Sequence, residues 1–181
     1  MSNVDGVAAE AGQGDLYAAG SINTFYLPVA DAAVPTSTAV ATVHDLLQGA
    51  VYMSRDMALA RLYPAIDPLV SWSHVLREDV VGADHVAVAR QVRDVLCRVP
   101  LSGEPVERTA GDQTLRATAE RLRAYLTQPF YVAEPYTKLA GEFVPVAQTV
   151  RDCREILSGK YKDIPAADLY FKGGLDCRGK L

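Results

Sequence analysis

The C-terminal stretch "GGLDCRGKL" (residues 173–181) holds the most familiar chemical pattern in this chain. Gly174, four intervening residues and then Gly179-Lys180 reproduce all but the last position of a phosphate-binding loop. Such a loop works because it opens a helix whose free N–H groups and positive dipole end face the anion, while the following Ser or Thr holds magnesium. Leu181 stands at that last position. The pattern is therefore expected to be a decoy. The other reactive side chains form no constellation. Cys97, Cys153 and Cys177 are odd in number and lack metal-ligand spacing, which points to idle thiols in a reducing compartment. His44, His74 and His85 show no paired spacing with carboxylates or cysteines, so no metal site is expected.

The elements that would position any site divide the chain into three expected regions. Residues 1–19 are rich in Ala and Gly with little to bury and read as a mobile leader. Residues 20–75 read as a small β-containing lobe. There "SINTFYLPV" (21–29) is β-branched and aromatic without clean alternation, as in a strand buried on both faces. "GAVYMS" (49–54) is a second strand candidate, and Ser54 can cap a brief helix through "RDMALAR". Residues 76–181 read as a helical bundle. After Asp84 as a cap, Ala89, Val92, Val95/Leu96 and Val99 recur at helical spacing. Residues 99–112 carry two prolines and two glycines and read as a loop. Leu115, Ala119, Leu122 and Tyr125/Leu126 mark a second helix that Pro129 ends. Pro145 opens a third, with Val146, Val150, Cys153 and Leu157 on one face and Gly159 as its stop. "PAADLYF" (165–171) is expected to add a fourth. The fold class is α+β.

At 181 residues with net charge −4, the chain can bury a sizeable core. No Lys or Arg precedes Arg55, and five acidic residues make that part −5, which leaves +1 for the rest. An acidic protein lacking clustered cations is not expected to bind nucleic acid. A cation-free N-terminal region is not a secretory or transit signal, and no apolar run reaches the ~18 residues of a spanning helix, so no direct membrane insertion is expected.

Two segments are more distinctive than the terminal decoy: "LYPAIDPLVSWS" (62–73) and "LTQPFYVAEPYT" (126–137). With "GSINTFYLPVAD" (20–31), "GAVYMSR" (49–55), "DHVAVARQVRDVL" (84–96) and "GEFVPVAQTVRDCREILSGKYKDIPAADLYFKGG" (141–174), they resemble, in the same order, the C-terminal third of the catalytic β subunit of F-type ATP synthases. "LTQPF" and the cysteine of "RDCREIL" lean toward the divergent second type of that complex found in some bacteria. The resemblance implies a remnant of a P-loop, RecA-like ATPase core at 20–75 followed by the subunit's helical bundle. It also implies an adenine pocket made by Tyr63, Phe130, Ala133 and Tyr136. Aromatic side chains suit a purine because every base has a flat π-face. Phe130, Ala133 and Tyr136 are three apart and share a face in a helical turn, though Pro135 argues against a continuous helix there. The plainer alternative is that these are core aromatics between lobe and bundle.

Departures from the family matter as much. The phosphate loop, the magnesium-holding Asp and the water-orienting carboxylate that ATP chemistry needs lie upstream in the family, and residues 1–19 supply none of them. The acidic Asp-Glu-Leu-Ser-Glu-Glu-Asp segment that engages the rotor is replaced by "LSGEPVERTAGDQ" (101–113), and His74 stands where the family has Arg. ATP or ADP is the implied ligand, weak in the isolated chain, with magnesium only in an intact parent site. Stacking contributes roughly 1–3 kcal/mol per ring and a millimolar complex needs about 4, so the chain alone is expected to reach millimolar affinity and no catalysis. Implied partners are α-type and γ-type subunits, with self-association possible. The implied location is the cytoplasmic face of a bacterial membrane as a peripheral subunit, or the cytoplasm if unassembled. Two other readings stand beside this one: a non-catalytic β-like interaction module, and a decayed gene fragment.

Overall fold

Three of the periodic stretches become the helices of a bundle in the computed structural model, which describes residues 47–101 and 110–175. The expected leader, the strand at 21–29, most of the loop at 99–112 and the terminal Gly179-Lys180 lie outside the described residues. Those from Val51 onward belong to one compact unit. Among the described residues the architecture is mostly helical, with two strands of two residues each: β1 (Gly49–Ala50) and β2 (Trp72–Ser73). "GAVYMS" is thus a strand only at its start, although Met53 makes an antiparallel bridge with Ile66. Ser54 caps α1 (Arg55–Leu59) as its residue type suggests, its hydroxyl accepting from the Met57 N–H at 3.3 Å.

The short α2 (Glu78–Val81) leads into α3 (Ala83–Arg98), and Gly82, at φ 86°, holds the junction. Gly82 and not Asp84 is the cap. Asp84 sits in the first turn, where a carboxylate is favoured by the helix dipole, and pairs with Arg154. The face α3 buries is Val88, Val92, Leu96 and Val99, with Val95 half-buried. Against it pack α4 (Ala110–Leu126), through Ala119, Leu122 and Tyr125, and α6 (Val146–Leu157), through Cys153 and Ile156. Of the expected face of α6, Cys153 is buried and Val150 and Leu157 pack half-buried against the core, while Val146 is exposed and Asp152 and Ile156 are buried beside them. The helix ends as its residues suggest. Gly159 is left-handed at φ 80°, and the Lys160 N–H reaches back to the Glu155 carbonyl at 3.1 Å.

Between α4 and α6 the chain makes a 3₁₀ turn (Tyr131–Ala133) and a single α-turn, α5 (Glu134–Thr137). Pro135 lies within the first two positions of α5, where a missing N–H costs nothing. "PAADLYF" is not a helix but one 3₁₀ turn (Ala166–Leu169), after which Tyr170 is extended and Phe171 takes φ 55°. Its Leu169 is fully buried against α4, so a tertiary anchor outweighs the helical propensity of the stretch.

Arginines tie the irregular segments to the bundle. Arg93 of α3 donates to the carbonyls of Ser71 (3.1 Å) and Leu69 (2.6 Å). Arg121 of α4 donates to those of Ile164 (2.9 Å) and Lys162, and Arg123 caps the C-terminal carbonyls of α3 at Leu96 and Val99.

Candidate functional site: an apolar cavity walled by rings

The segment Thr127–Gln128–Pro129 leaves the end of α4 and acts as a node. The Gln128 N–H donates to the Tyr63 carbonyl at 2.9 Å. The Pro129 carbonyl accepts from Glu142 (2.9 Å) and the Thr127 carbonyl from Phe171 (3.2 Å). The Gln128 side-chain amide donates to the carbonyls of Tyr125 (2.7 Å) and Gly173 (3.3 Å). Segments up to 110 residues apart in sequence are thereby drawn to one place.

Around that node lies a cavity of about 200 Å³, lined by Tyr63, Pro129, Phe130, Ala133, Thr137, Leu139 and Phe171. Three of the four side chains singled out from the sequence, Tyr63, Phe130 and Ala133, share this lining. Tyr136 does not; it is 87% exposed and outside the lining. Pro129, Thr137, Leu139 and Phe171 complete the walls and were not anticipated. Pro129 and Leu139 carry no mark beyond being apolar near Phe130, and nothing in the sequence announces a phenylalanine in a left-handed backbone.

The polar atoms on the lining are spent within the fold. The Tyr63 hydroxyl donates to the Ala58 carbonyl (3.3 Å) and the Thr137 hydroxyl to the Ala133 carbonyl (3.0 Å). Among the described residues no Lys, Arg, Asp or Glu lines the cavity. It therefore offers flat apolar surface and shape, with no group to grip a phosphate or a metal. Among the described residues no group of three His, Cys, Asp or Glu side chains could hold a metal ion.

The loop that carries Phe130 and Ala133 closes on itself. Lys138, at φ 61°, reverses the chain after α5, and the Gly141 N–H donates to the Glu134 carboxylate at 2.6 Å. A Cβ on Gly141 would lie 2.6 Å from the Tyr131 backbone nitrogen, so only glycine permits this approach.

The bundle also holds a buried polar cluster that sequence reasoning missed. Asp152 is fully buried, and its Oδ2 accepts from the Tyr125 hydroxyl and the Leu175 N–H, both at 2.9 Å. Its Oδ1 meets no hydrogen-bond donor among the described residues, and Arg151 Nε, at 3.7 Å, offsets charge without donating to it. Burial, the hydrogen bond to Asp152 and its charge hold the Tyr125 phenol above its usual range. Burial first, and the Asp152 charge second, push the Cys153 thiol up to about 12.

Both shifted groups are acids held neutral in the fold, so their contribution to stability is complete below the ordinary thiol value of 9.0 and lost as pH rises towards 12. Urea unfolding is expected to give a flat stability up to about pH 9, then a fall approaching 1.4 kcal/mol per pH unit for the thiol alone. In mass-mapped alkylation at pH 8, exposed Cys97 is expected to react in the native protein and Cys153 only in denaturant. Native labelling of Cys153 at the rate of Cys97 would show that its surroundings are open.

No protein-family model matches the chain. No helix among the described residues is long and apolar enough to cross a membrane.

Proposed function

We propose that the chain is the C-terminal part of a β-type subunit of a rotary F-type ATP synthase, carrying the base-stacking side of the nucleotide site and a remnant of the RecA-like core. One observation supports this above the others. Two segments that resemble the family, 62–73 and 126–137, bring Tyr63, Phe130 and Ala133 to the walls of a single cavity. In this reading the adenine ring of ATP or ADP enters the cavity edge-first and is held by its faces. Triphosphate and magnesium are held by residues these segments do not contain, so the chain alone performs no hydrolysis.

The test is a titration of the full chain with adenosine and ATP, with and without magnesium, followed by saturation-transfer NMR. Dissociation constants in the millimolar range are expected, equal within a few-fold for the two ligands and indifferent to magnesium. Micromolar, magnesium-dependent affinity for ATP would overturn the division of the site, and no binding of either at about ten times that concentration would overturn the cavity's role.

The implied partners are α-type and γ-type subunits. Exposed Tyr131, Val132 and Tyr136, on the segment that gives Phe130, Ala133 and Thr137 to the cavity, support a docking role, since exposed large apolar side chains close together mark interaction sites. Recovery of those subunits with the chain from native membranes checks this, and a chain recovered without either would count against it.

A further inference from the structure

Three rings surround the cavity, and the third is not the one the resemblance names. Tyr136 points into solvent, while Phe171, from a segment 35 residues further on, stands in the wall. Its backbone, at φ 55°, occupies a region that a bulky L residue enters only where its surroundings hold it. Those surroundings are present. The Phe171 N–H donates to the Thr127 carbonyl at 3.2 Å, and the Tyr170 hydroxyl donates to the Arg61 carbonyl. The Tyr170 ring packs edge-on against Phe171 at 4.3 Å between centroids, and Gln128 holds the Gly173 carbonyl two residues on. Every tie reaches a segment that itself lines the cavity or adjoins its lining. With Phe171 in place the volume, about 200 Å³, falls below the roughly 300–1,000 Å³ of pockets that take larger ligands. Among the described residues the lining has no free polar group, so ring size is the property the site can select.

We propose that Phe171 is the third stacking wall of the slot and the side chain that limits the size of the ring admitted. In this it takes the role the resemblance assigns to Tyr136. The ligand class is the flat bicyclic base of a nucleoside, and the inference rests on the nucleotide reading above.

Saturation-transfer NMR on the full chain with adenosine and with N6-benzyladenosine tests it. Phe171→Ala is expected to weaken adenosine by about 5- to 150-fold, the loss of one stacked ring, and to reverse the preference in favour of the bulkier nucleoside. Phe171→Met keeps an apolar side chain of similar length without a ring. It is expected to weaken adenosine while still excluding the benzyl compound. Tyr136→Ala is expected to leave both within about twofold of the parent. If the parent binds adenosine and both Phe171 variants bind it equally well, or if Tyr136→Ala causes the loss instead, the assignment of Phe171 fails while the nucleotide reading stands. If neither the parent nor any variant binds a nucleoside, both fail. Binding by Phe171→Ala alone would overturn Phe171 as a stacking wall, since the ring would then exclude the base it is proposed to hold.

Discussion

Asp152→Ala is expected to lower stability by about 3 kcal/mol, because it leaves two buried donors, the Tyr125 hydroxyl and the Leu175 N–H, without an acceptor. Each orphaned group costs about 1–3 kcal/mol, against which stands the relief of a carboxylate whose second oxygen lacks a donor. For a protein of this size the change corresponds to a fall in Tm of about 6–12 °C. Tyr125→Phe removes one donor and leaves the ring packed, with an expected cost of about 1.5–3 kcal/mol for a bond to a charged acceptor. The double variant should cost clearly less than the two singles added, since both remove the same hydrogen bond. Additive losses, or a loss below about 1 kcal/mol for Asp152→Ala, would show that the carboxylate is not the tie between α4, α6 and the segment at Leu175.

The second large effect is expected at Gly141→Ala. The new methyl would meet Tyr131 at 2.5 Å from Cδ1, 2.6 Å from the backbone nitrogen and 2.7 Å from Cα. A ring carbon can swing aside, but two of these three atoms are backbone, so the turn itself must move. Overpacking of this kind costs about 1–3 kcal/mol. The turn carries Ala133 and follows directly on Phe130, so adenosine binding is expected to be lost along with about 2–3 kcal/mol of stability, or roughly 4–12 °C in Tm. Gly159→Ala is the control: its position is left-handed but has nothing within 4 Å, so it is expected to cost only about 1 kcal/mol. A Tm for Gly141→Ala as close to the parent's as that of Gly159→Ala would mean the loop does not close as tightly as described.

The bundle was legible in the sequence to the extent that periodicity carried it. Val92, Leu96, Val99, Ala119, Leu122, Tyr125 and Cys153 all fall in the core, because a helix of the right amphipathic spacing has one face to bury. The errors share a cause. Val146 is expected on the packed face of α6 by apolar type alone, yet the face that packs is set by the neighbours, and there Asp152 is buried while Val146 is exposed. The helix expected at 165–171 gave way to one turn because Leu169 and Leu175 are anchored in the core and the chain between must turn to reach both. Tyr63 and Phe130 could be paired only through a resemblance, since 67 residues separate them and no local rule links them. Phe171 and Gly141 act through backbone geometry, a positive φ at one and a close approach at the other, and neither leaves a pattern in residue type.

The meeting of remote segments at Thr127–Pro129 has a dynamic consequence. At this node Tyr63, Phe171 and Glu142 each meet the segment through one backbone hydrogen bond, whereas the three-helix core is continuous without them. Opening of the slot therefore does not require the bundle to melt. The amide protons of Gln128, Glu142 and Phe171 should exchange with solvent sooner than those of Leu122 or Ile156, giving the pocket a lifetime shorter than that of the fold supporting it.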